Sequence, residues 1–499
     1  MSDSDSMLPI TVGIDLGTSS VKVVAVTEDG NLIAQGTSAF ETLSQIPGQA
    51  EQYPQDWLRA VSAAMRSLET AIRNKSAVSF ADRVTAVGLT GQLPSLVCLG
   101  AARPIAPAIT WRDGRADTWT SERVDGPRRS AMYACTGMPI DGRYLAPMVQ
   151  FHFSDRLSEL SRILSAKDYL LSQLTGLEIT EPSTAAGFGV YDLHDRSFSK
   201  TLCDFWGLPS RILPEIRPAN SLAGPLTEAG AALLGLPVGL PVSTGAADSV
   251  CAAFALAGLD DHSVSISFGS STVIVGASRE VRLDSRSRYL LTPHVADGWY
   301  GREMDLLATG TGYRWLSELL GWADGQIDTE AAHSIPGANG LVFPPYLAGG
   351  EQGALWNPRL HAALFGIGLT HTRSDIARAY LEGVFYEVRR CIEVLSETTP
   401  IDTVQVSGNI TTSQTSLQML ADILQRPIGT SSHRSPAAYG AALLARMIAK
   451  GRATPLGAPL ASPQVGRSTT PAATPHSQTA HVYSSLYQQF LALSALCDY

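Results

Sequence analysis

Apolar runs and small polar turns alternate along the chain, and one such pattern occurs twice. Residues 12–23 read "VGIDLGTSSVKV", two apolar runs around Gly-Thr-Ser-Ser. Residues 264–275 read "VSISFGSSTVIV". The stretches align without a gap and are identical at six of twelve positions. β-Branched runs broken by a Gly-Ser/Thr turn predict a β-hairpin in each. A chance likeness of two hairpins is the alternative. The copies stand half a chain apart, which favours a duplicated domain, with the hairpins facing each other across a cleft.

Helical spacing appears elsewhere. A small-residue loop, "GAADS", precedes an apolar helical run from Val250 to Leu259. Residues 452–480 are rich in Pro, Ala, Ser and Thr and predict a loosely ordered linker. Residues 481–496 carry apolar side chains at helical spacing and predict a final helix that docks back on the fold. The uncharged stretch from Ala229 to Ala247 holds Pro237, Pro241 and four glycines, so it predicts turns rather than a membrane span.

The two hairpins differ at one position that matters chemically. Asp15 in the first is Ser267 in the second. A turn alone tolerates either residue. One retained carboxylate suits a task needing a single negative charge, such as orienting hydrated Mg²⁺. Gly17 lets the backbone come close to a ligand. The amides and hydroxyls of Thr18, Ser19 and Ser20 can donate to phosphate oxygens. The first hairpin therefore predicts half of a nucleotide-phosphate clamp.

Composition narrows the classes. At 499 residues the chain exceeds one ordinary core, which suggests about two to three domains. With 44% hydrophobic and 17% charged residues it reads as a globular protein. A net charge of −9 without a basic block argues against nucleic acid as a partner. The six cysteines form no CxxC and fit reduced thiols in the cytoplasm. "MSDSDSMLPI" has no basic region and no apolar core, so no signal peptide is expected, and no membrane partner. There is no Walker A loop and no GxGxxG after a strand. Ser19 to Lys22 fits S-x-x-K, but no Lys-Thr-Gly accompanies it. HExxH and clustered metal ligands are missing among the histidines.

A series of further motifs follows in order: "PGQAEQYPQDWLRAV" at 47–61, "VGLTGQLPSLVCL" at 87–99, "AITWRDGRA" at 108–116 and "KDYLLSQLTG" at 167–176. Then come "GAADSVCAAFALAG" at 245–258, "FPPYLAGGEQGALWNP" at 343–358 and "VSGNITTSQTSLQMLADILQRPI" at 406–428. Between the last two, Ala362, Leu364, Gly366, Ile367, Asp375, Ile376, Ala379, Leu381 and Glu382 fit one further signature. With the first hairpin, this series resembles the FGGY carbohydrate kinases of the actin, sugar kinase and Hsp70 superfamily, in its xylulokinase-like branch. The resemblance implies an α/β fold of two duplicated ribonuclease-H-like domains with an interdomain cleft. The expected boundaries are 1–244, 245–451 and a tail at 452–499.

The resemblance also implies roles. ATP and Mg²⁺ would lie in the cleft, and a small-molecule sugar would be the acceptor. Asp248 is expected as general base, with helix capping as the structural alternative. Asp15 is expected to hold the metal. Gly269, Ser270, Ser271, Gly408 and Asn409 are expected at the nucleotide, and so are Gly310 and Thr311, for which a helix-start turn is the alternative. Gln92, Leu93, Pro94, Arg112, Asp113 and Asp248 are expected at the sugar, with a surface ion pair as the alternative for Arg112 and Asp113.

Some positions depart from the pattern. Gly91-Gln92-Leu93-Pro94-Ser95 stands where xylulokinases read Gly-Gln-Met-His-Gly, so a polar sugar contact is lost at Pro94. Met148 and Phe151 replace a lysine and a tryptophan in "LAPMVQFHF". Ser407-Gly408-Asn409-Ile410 replaces Gly-Gly-Gly-Ala. There Asn409 is expected to tolerate a left-handed turn, and Ile410 to narrow the nucleotide site. D-Xylulose is the first expectation for the acceptor. Gluconate is the second, because "TGMPIDGRYLAP" at 136–147 is similar to gluconokinases, and other ketoses or polyols share the rest. A sugar sensor without catalysis is a third, and retention of both Asp15 and Asp248 argues against it. A homodimer is expected on family grounds alone.

Overall fold

Runs of Val and Ile on both sides of small turns fold as paired strands because their branched side chains pack on a pleated, half-buried surface. The computed structural model describes residues 8–73, 79–101, 103–323, 325–431, 435–449 and 471–498. In the first half, β1 (Ile10–Leu16), β2 (Ser20–Thr27) and β3 (Leu32–Ala39) form an antiparallel ribbon. β4 (Val84–Gly91) pairs parallel with β1. The edge is completed by β5 (Leu222–Pro225) and β6 (Pro241–Ser243), while the short β7 (Ala246–Ala247) pairs with the end of β4. The sheet order is β5-β6-β4-β1-β2-β3.

The second half repeats this plan. β8 (Ser263–Phe268) pairs antiparallel with β9 (Thr272–Ser278), which pairs with β11 (Tyr300–Leu306), flanked by β10 (Leu290–Pro293). β12 (Thr403–Gly408) and β13 (Ile428–Thr430) add in parallel beside β8. Each sheet therefore runs third, second, first, then two parallel strands. The duplication expected from the hairpins is present in the topology.

Helices cover the sheets. In the first half these include α1 (Pro54–Arg73), α2 (Ala166–Thr175) and α3 (Pro182–Ala186). Next come α4 (Asp248–Ala257), α5 (Thr309–Leu319), α6 (Arg373–Ser396) and α7 (Gln414–Leu424). Last are α8 (Pro436–Ala449) and α9 (Ser477–Ser494). The sequence position of α8 suggests the second half, yet it lies on β1 and β4 of the first sheet. It comes so close that a Cβ at Gly13 would stand 1.9 Å from the Ala438 carbonyl, and one at Gly88 1.9 Å from that of Ala441. Thr11 Oγ1 donates to the Ala442 carbonyl at 3.1 Å. The other side of α8 meets α4, where a Cβ at Gly440 would stand 2.1 Å from the Cys251 carbonyl.

α9 docks as its spacing predicts. Tyr483, Tyr487 and Phe490 are buried in the second core with Phe385 and Tyr386 of α6. The buried Tyr483 hydroxyl donates to Glu382 and accepts from Arg378. The helix starts at Ser477, so residues 477–480 belong to it and not to the expected linker. Residues 471–476 lead into it, with Ala473 bridged to Ile428. The rest of the expected linker, 452–470, lies outside the described residues. The stretch 229–247 is less turn-rich than expected, because it opens inside a helix, Glu228–Leu234. Among the described residues no helix is long and apolar enough to cross a membrane. All six cysteines are free thiols.

The contact between Gly13 and α8 leaves no room for a methyl group. Gly13→Ala is expected to destabilise the fold by about 3 kcal/mol, as overpacking does. A fall in the urea midpoint measures it. An unchanged midpoint would mean that α8 does not press on β1.

Candidate active site

The turn of the first hairpin closes with Gly17 N–H donating to the Ser20 carbonyl at 3.1 Å. Thr18 is anchored from two sides. Its hydroxyl accepts from Trp111 Nε1 at 3.0 Å, and its carbonyl accepts from Gln52 Nε2 at 2.7 Å. Gln52 is in turn held by Trp57 Nε1 at 3.0 Å and Gln92 Nε2 at 2.9 Å. The "EQYPQDW" motif is thus a brace behind the turn. Gln92 belongs to that brace, and its backbone N–H donates to Leu16. Ser19 accepts from the Phe40 amide, and Ser20 begins β2. Asp15 is buried at the end of β1, and its Oδ1 has no hydrogen-bond partner. Burial pushes its carboxyl up to about 6, opposed by the Lys22 ammonium.

The second hairpin closes the same way, with Gly269 N–H donating to Ser271 at 2.9 Å. Gly310 and Thr311 form the first turn of α5, and both amides donate to the Ser270 carbonyl at 3.1 Å. The helix-start turn and a place beside the second hairpin therefore coexist. Ser267, which stands in place of Asp15, accepts a hydrogen bond from Ser407 at 3.2 Å. Gly408 adopts φ +92°, where a Cβ would meet the Phe268 carbonyl at 1.9 Å. The left-handed turn is thus carried by Gly408. Asn409 is not left-handed, contrary to expectation, and opens a short 3₁₀ helix, Asn409–Thr412. Ile410 turns into the second core.

Asp248 is the first residue of α4. It accepts only the amide of its neighbour Ser249, at 2.8 Å, which is little as a cap. Burial first, then the nearby Asp15 carboxylate, push its pKa up to about 7. The segment before it is held from three directions. The buried Lys167 donates to the Thr244 carbonyl at 3.1 Å and to Asp168 at 2.7 Å. Thr90 donates to the Ala246 carbonyl at 2.7 Å. The Ala247 amide donates to Ser183 Oγ at 2.9 Å, while Ser183 donates to the buried Glu181 carboxylate.

A cavity of about 230 Å³ lies where these parts meet. Thr18 of the first turn, Ser271 of the second, Asp248 and Ser183 all line it. Of the residues expected at the sugar, Leu93 and Pro94 line it too. Arg112 and Asp113 do not. Arg112 is exposed, and the buried Asp113 accepts from the Ala50 amide and pairs with Arg115, which also binds Glu51. Arg115 and the backbone hold the Asp113 carboxyl below its ordinary range despite burial. That carboxylate is spent on an ion pair, and a buried one rather than a surface one.

Several lining residues escaped sequence reasoning. Trp111, Arg143, Tyr144 and Trp356 stand in stretches already quoted for other reasons. Trp356 holds a strained φ of +47°, and its buried Nε1 has no partner. Glu303 and Asp305 sit in β11, where no motif marks them. Their only signal is alternation with Met304 and Leu306, which places both carboxylates on one strand face.

Two small-residue turns and a carboxylate of raised pKa meet on one cavity, an arrangement that phosphoryl transfer can use. The family comparison agrees. The chain belongs to the FGGY family of carbohydrate kinases: residues 10–255 match its N-terminal domain and residues 264–449 its C-terminal domain. It is 26% identical over 449 residues to a xylulose kinase of Staphylococcus xylosus, covering 87% of this chain and 90% of that one. It is 24% identical to a gluconokinase of Bacillus subtilis, covering 99% and 97%. The crystal structure of xylulose kinase from Rhodospirillum rubrum is similar at TM-score 0.83 and 28% identity, covering 98% of each chain.

Two outcomes follow from this geometry. In the fold Asp248 keeps its proton to about pH 7, whereas in the unfolded chain it releases it near 3.8. The folded state therefore binds more protons between these values, and its stability falls as pH rises through them. Asp248→Asn removes this penalty. It should stabilise the ligand-free protein at pH 8 by about 1–3 kcal/mol and leave it unchanged at pH 4. Thermal melts at the two pH values check both signs. Ser183→Ala should lower kcat about tenfold with a smaller change in sugar KM, because it loosens the Ala247 amide that positions Asp248. Equal loss in KM would make Ser183 a sugar ligand instead.

Proposed function

We propose that the chain transfers the γ-phosphoryl group of ATP to D-xylulose, giving D-xylulose 5-phosphate. The observation that carries this reading is the Asp248 carboxylate on a cavity shared by both hairpin turns. The sugar hydroxyl oxygen forms the new bond to phosphorus as the bond to ADP breaks. Its proton passes to Asp248, whose raised pKa suits a base near neutral pH. Gly17, Thr18, Ser19 and Ser20 face the phosphates from the first half. Gly269, Ser270, Ser271, Gly310, Thr311, Gly408 and Asn409 face the nucleotide from the second.

Asp15 would hold Mg²⁺, which would supply positive charge to offset that of the phosphates. Its buried, unpartnered Oδ1 fits a hard divalent cation, which prefers oxygen donors. Likeness to xylulose kinases supports the acceptor. Gluconate is the second reading, supported by the gluconokinase likeness over nearly the whole chain. No observation favours a sensor without catalysis. Free cysteines suit the cytoplasm, and a homodimer remains part of the proposal on family grounds.

The test is coupled ADP release with MgATP over D-xylulose, D-ribulose, L-xylulose, D-gluconate, glycerol and erythritol. Saturable turnover of D-xylulose is expected. Asp248→Asn should cut it by about 10³-fold while ATP still binds. Turnover of D-gluconate alone would replace the acceptor. ATP binding without turnover of any sugar would sink the kinase reading.

A further inference from the structure

One strand lining the cavity presents two acids to it. Glu303 and Asp305 are two residues apart on β11, so both project from the same face, while Met304 and Leu306 enter the core behind it. Glu303 Oε2 accepts from Ser249 Oγ at 2.9 Å, next to Asp248. Asp305 Oδ1 is buried without a partner. The cation lining the cavity is Arg143, and its Nε and Nη2 are engaged by Asp141.

A buried acceptor left without a donor is costly, so a bound molecule that supplies one gains. Each hydroxyl of a neutral polyol brings a donor, and a hydrogen bond to a carboxylate is among the stronger ones. A carboxylate ligand brings none. It would bring a further carboxyl group against Asp248, Glu303 and Asp305, three acids that already line the cavity. Sites that present unpaired polar groups reject the wrong ligand more sharply than apolar pockets do.

We propose that Glu303 and Asp305 are specificity residues that accept hydroxyl hydrogens of an uncharged ketose or polyol and exclude an aldonate. This rests on the sugar-kinase reading and decides between its two acceptors. Trp111 and Tyr144, which line the same cavity, supply the apolar faces that a sugar's C–H groups cover. Neither acid is asked to move a proton, and that task stays with Asp248.

The test is calorimetric titration of the full-length protein with D-xylulose and with D-gluconate, beside coupled ADP release. D-Xylulose should bind at least about 100-fold more tightly than D-gluconate. Glu303→Gln and Asp305→Asn should each weaken D-xylulose about tenfold, with the KM for ATP unmoved. The double variant should gain affinity for D-gluconate, a change that misfolding cannot produce. Preference for D-gluconate in the unaltered protein overturns the proposal, and so do variants that leave both affinities unchanged. The two readings fail separately. The expected binding pattern without ADP release removes the kinase and keeps the selectivity. ADP release with unmoved variants removes the selectivity and keeps the kinase.

Discussion

The fold depends on a seam of small residues where α8 presses on β1 and β4. Gly13 and Gly88 leave the space, and Ala438, Ala441 and Ala442 fill it. The contact is backbone against backbone, so it cannot be traded for a larger side chain elsewhere. It carries the end of the second half back onto the first sheet. On its other side α8 holds α4 through Gly440 and Cys251. The two halves thus share a helix pair rather than a flexible strap alone.

The proposed base owes its place to that pair. Asp248 opens α4, so its Cα is set by the seam and its approach by the segment before it. Lys167, Thr90 and Ser183 hold that segment from the first half. Glu303 of the second half reaches Ser249 on the same turn of helix. The first turn of α4 is thus tied to both halves at once. The brace of Gln52, Trp57 and Gln92 keeps the first phosphate turn rigid meanwhile.

The hairpins were legible because the same local pattern occurs twice and needs no distant partner. α9 was legible for the same reason, since its apolar stripe repeats at helical spacing. α8 was legible as a helix, but its partner was not. "PAAYGAALLA" announces close packing without saying against which sheet. Arg112 and Asp113 misled because a charged pair in a loop looks like a ligand set, and only three dimensions show that Arg115 has taken the aspartate. At 409 the left-handed turn belongs to the glycine one residue earlier. Glu303 and Asp305 were invisible because strand alternation marks a polar face but not what that face looks upon.

The buried acids on and behind the cavity set function against stability. A carboxylate in a poorly hydrated site raises its own pKa, and each neighbour of like charge raises it further. Burial pushes up Asp15, Asp248 and Asp305, to about 6, 7 and 6; like charge adds to this at Asp248, while the Lys22 ammonium opposes it at Asp15 and the Arg143 guanidinium at Asp305. An isolated fold gains nothing from such a cluster, and apolar residues would pack better. The arrangement makes sense only if something else supplies the missing positive charge and donors. In the proposed reaction a cation would answer Asp15, the reacting hydroxyl Asp248, and the remaining hydroxyls of a neutral acceptor Asp305. On that reading a neutral acceptor brings the donors that the Asp305 carboxylate lacks, whereas an anionic one brings a further carboxylate instead.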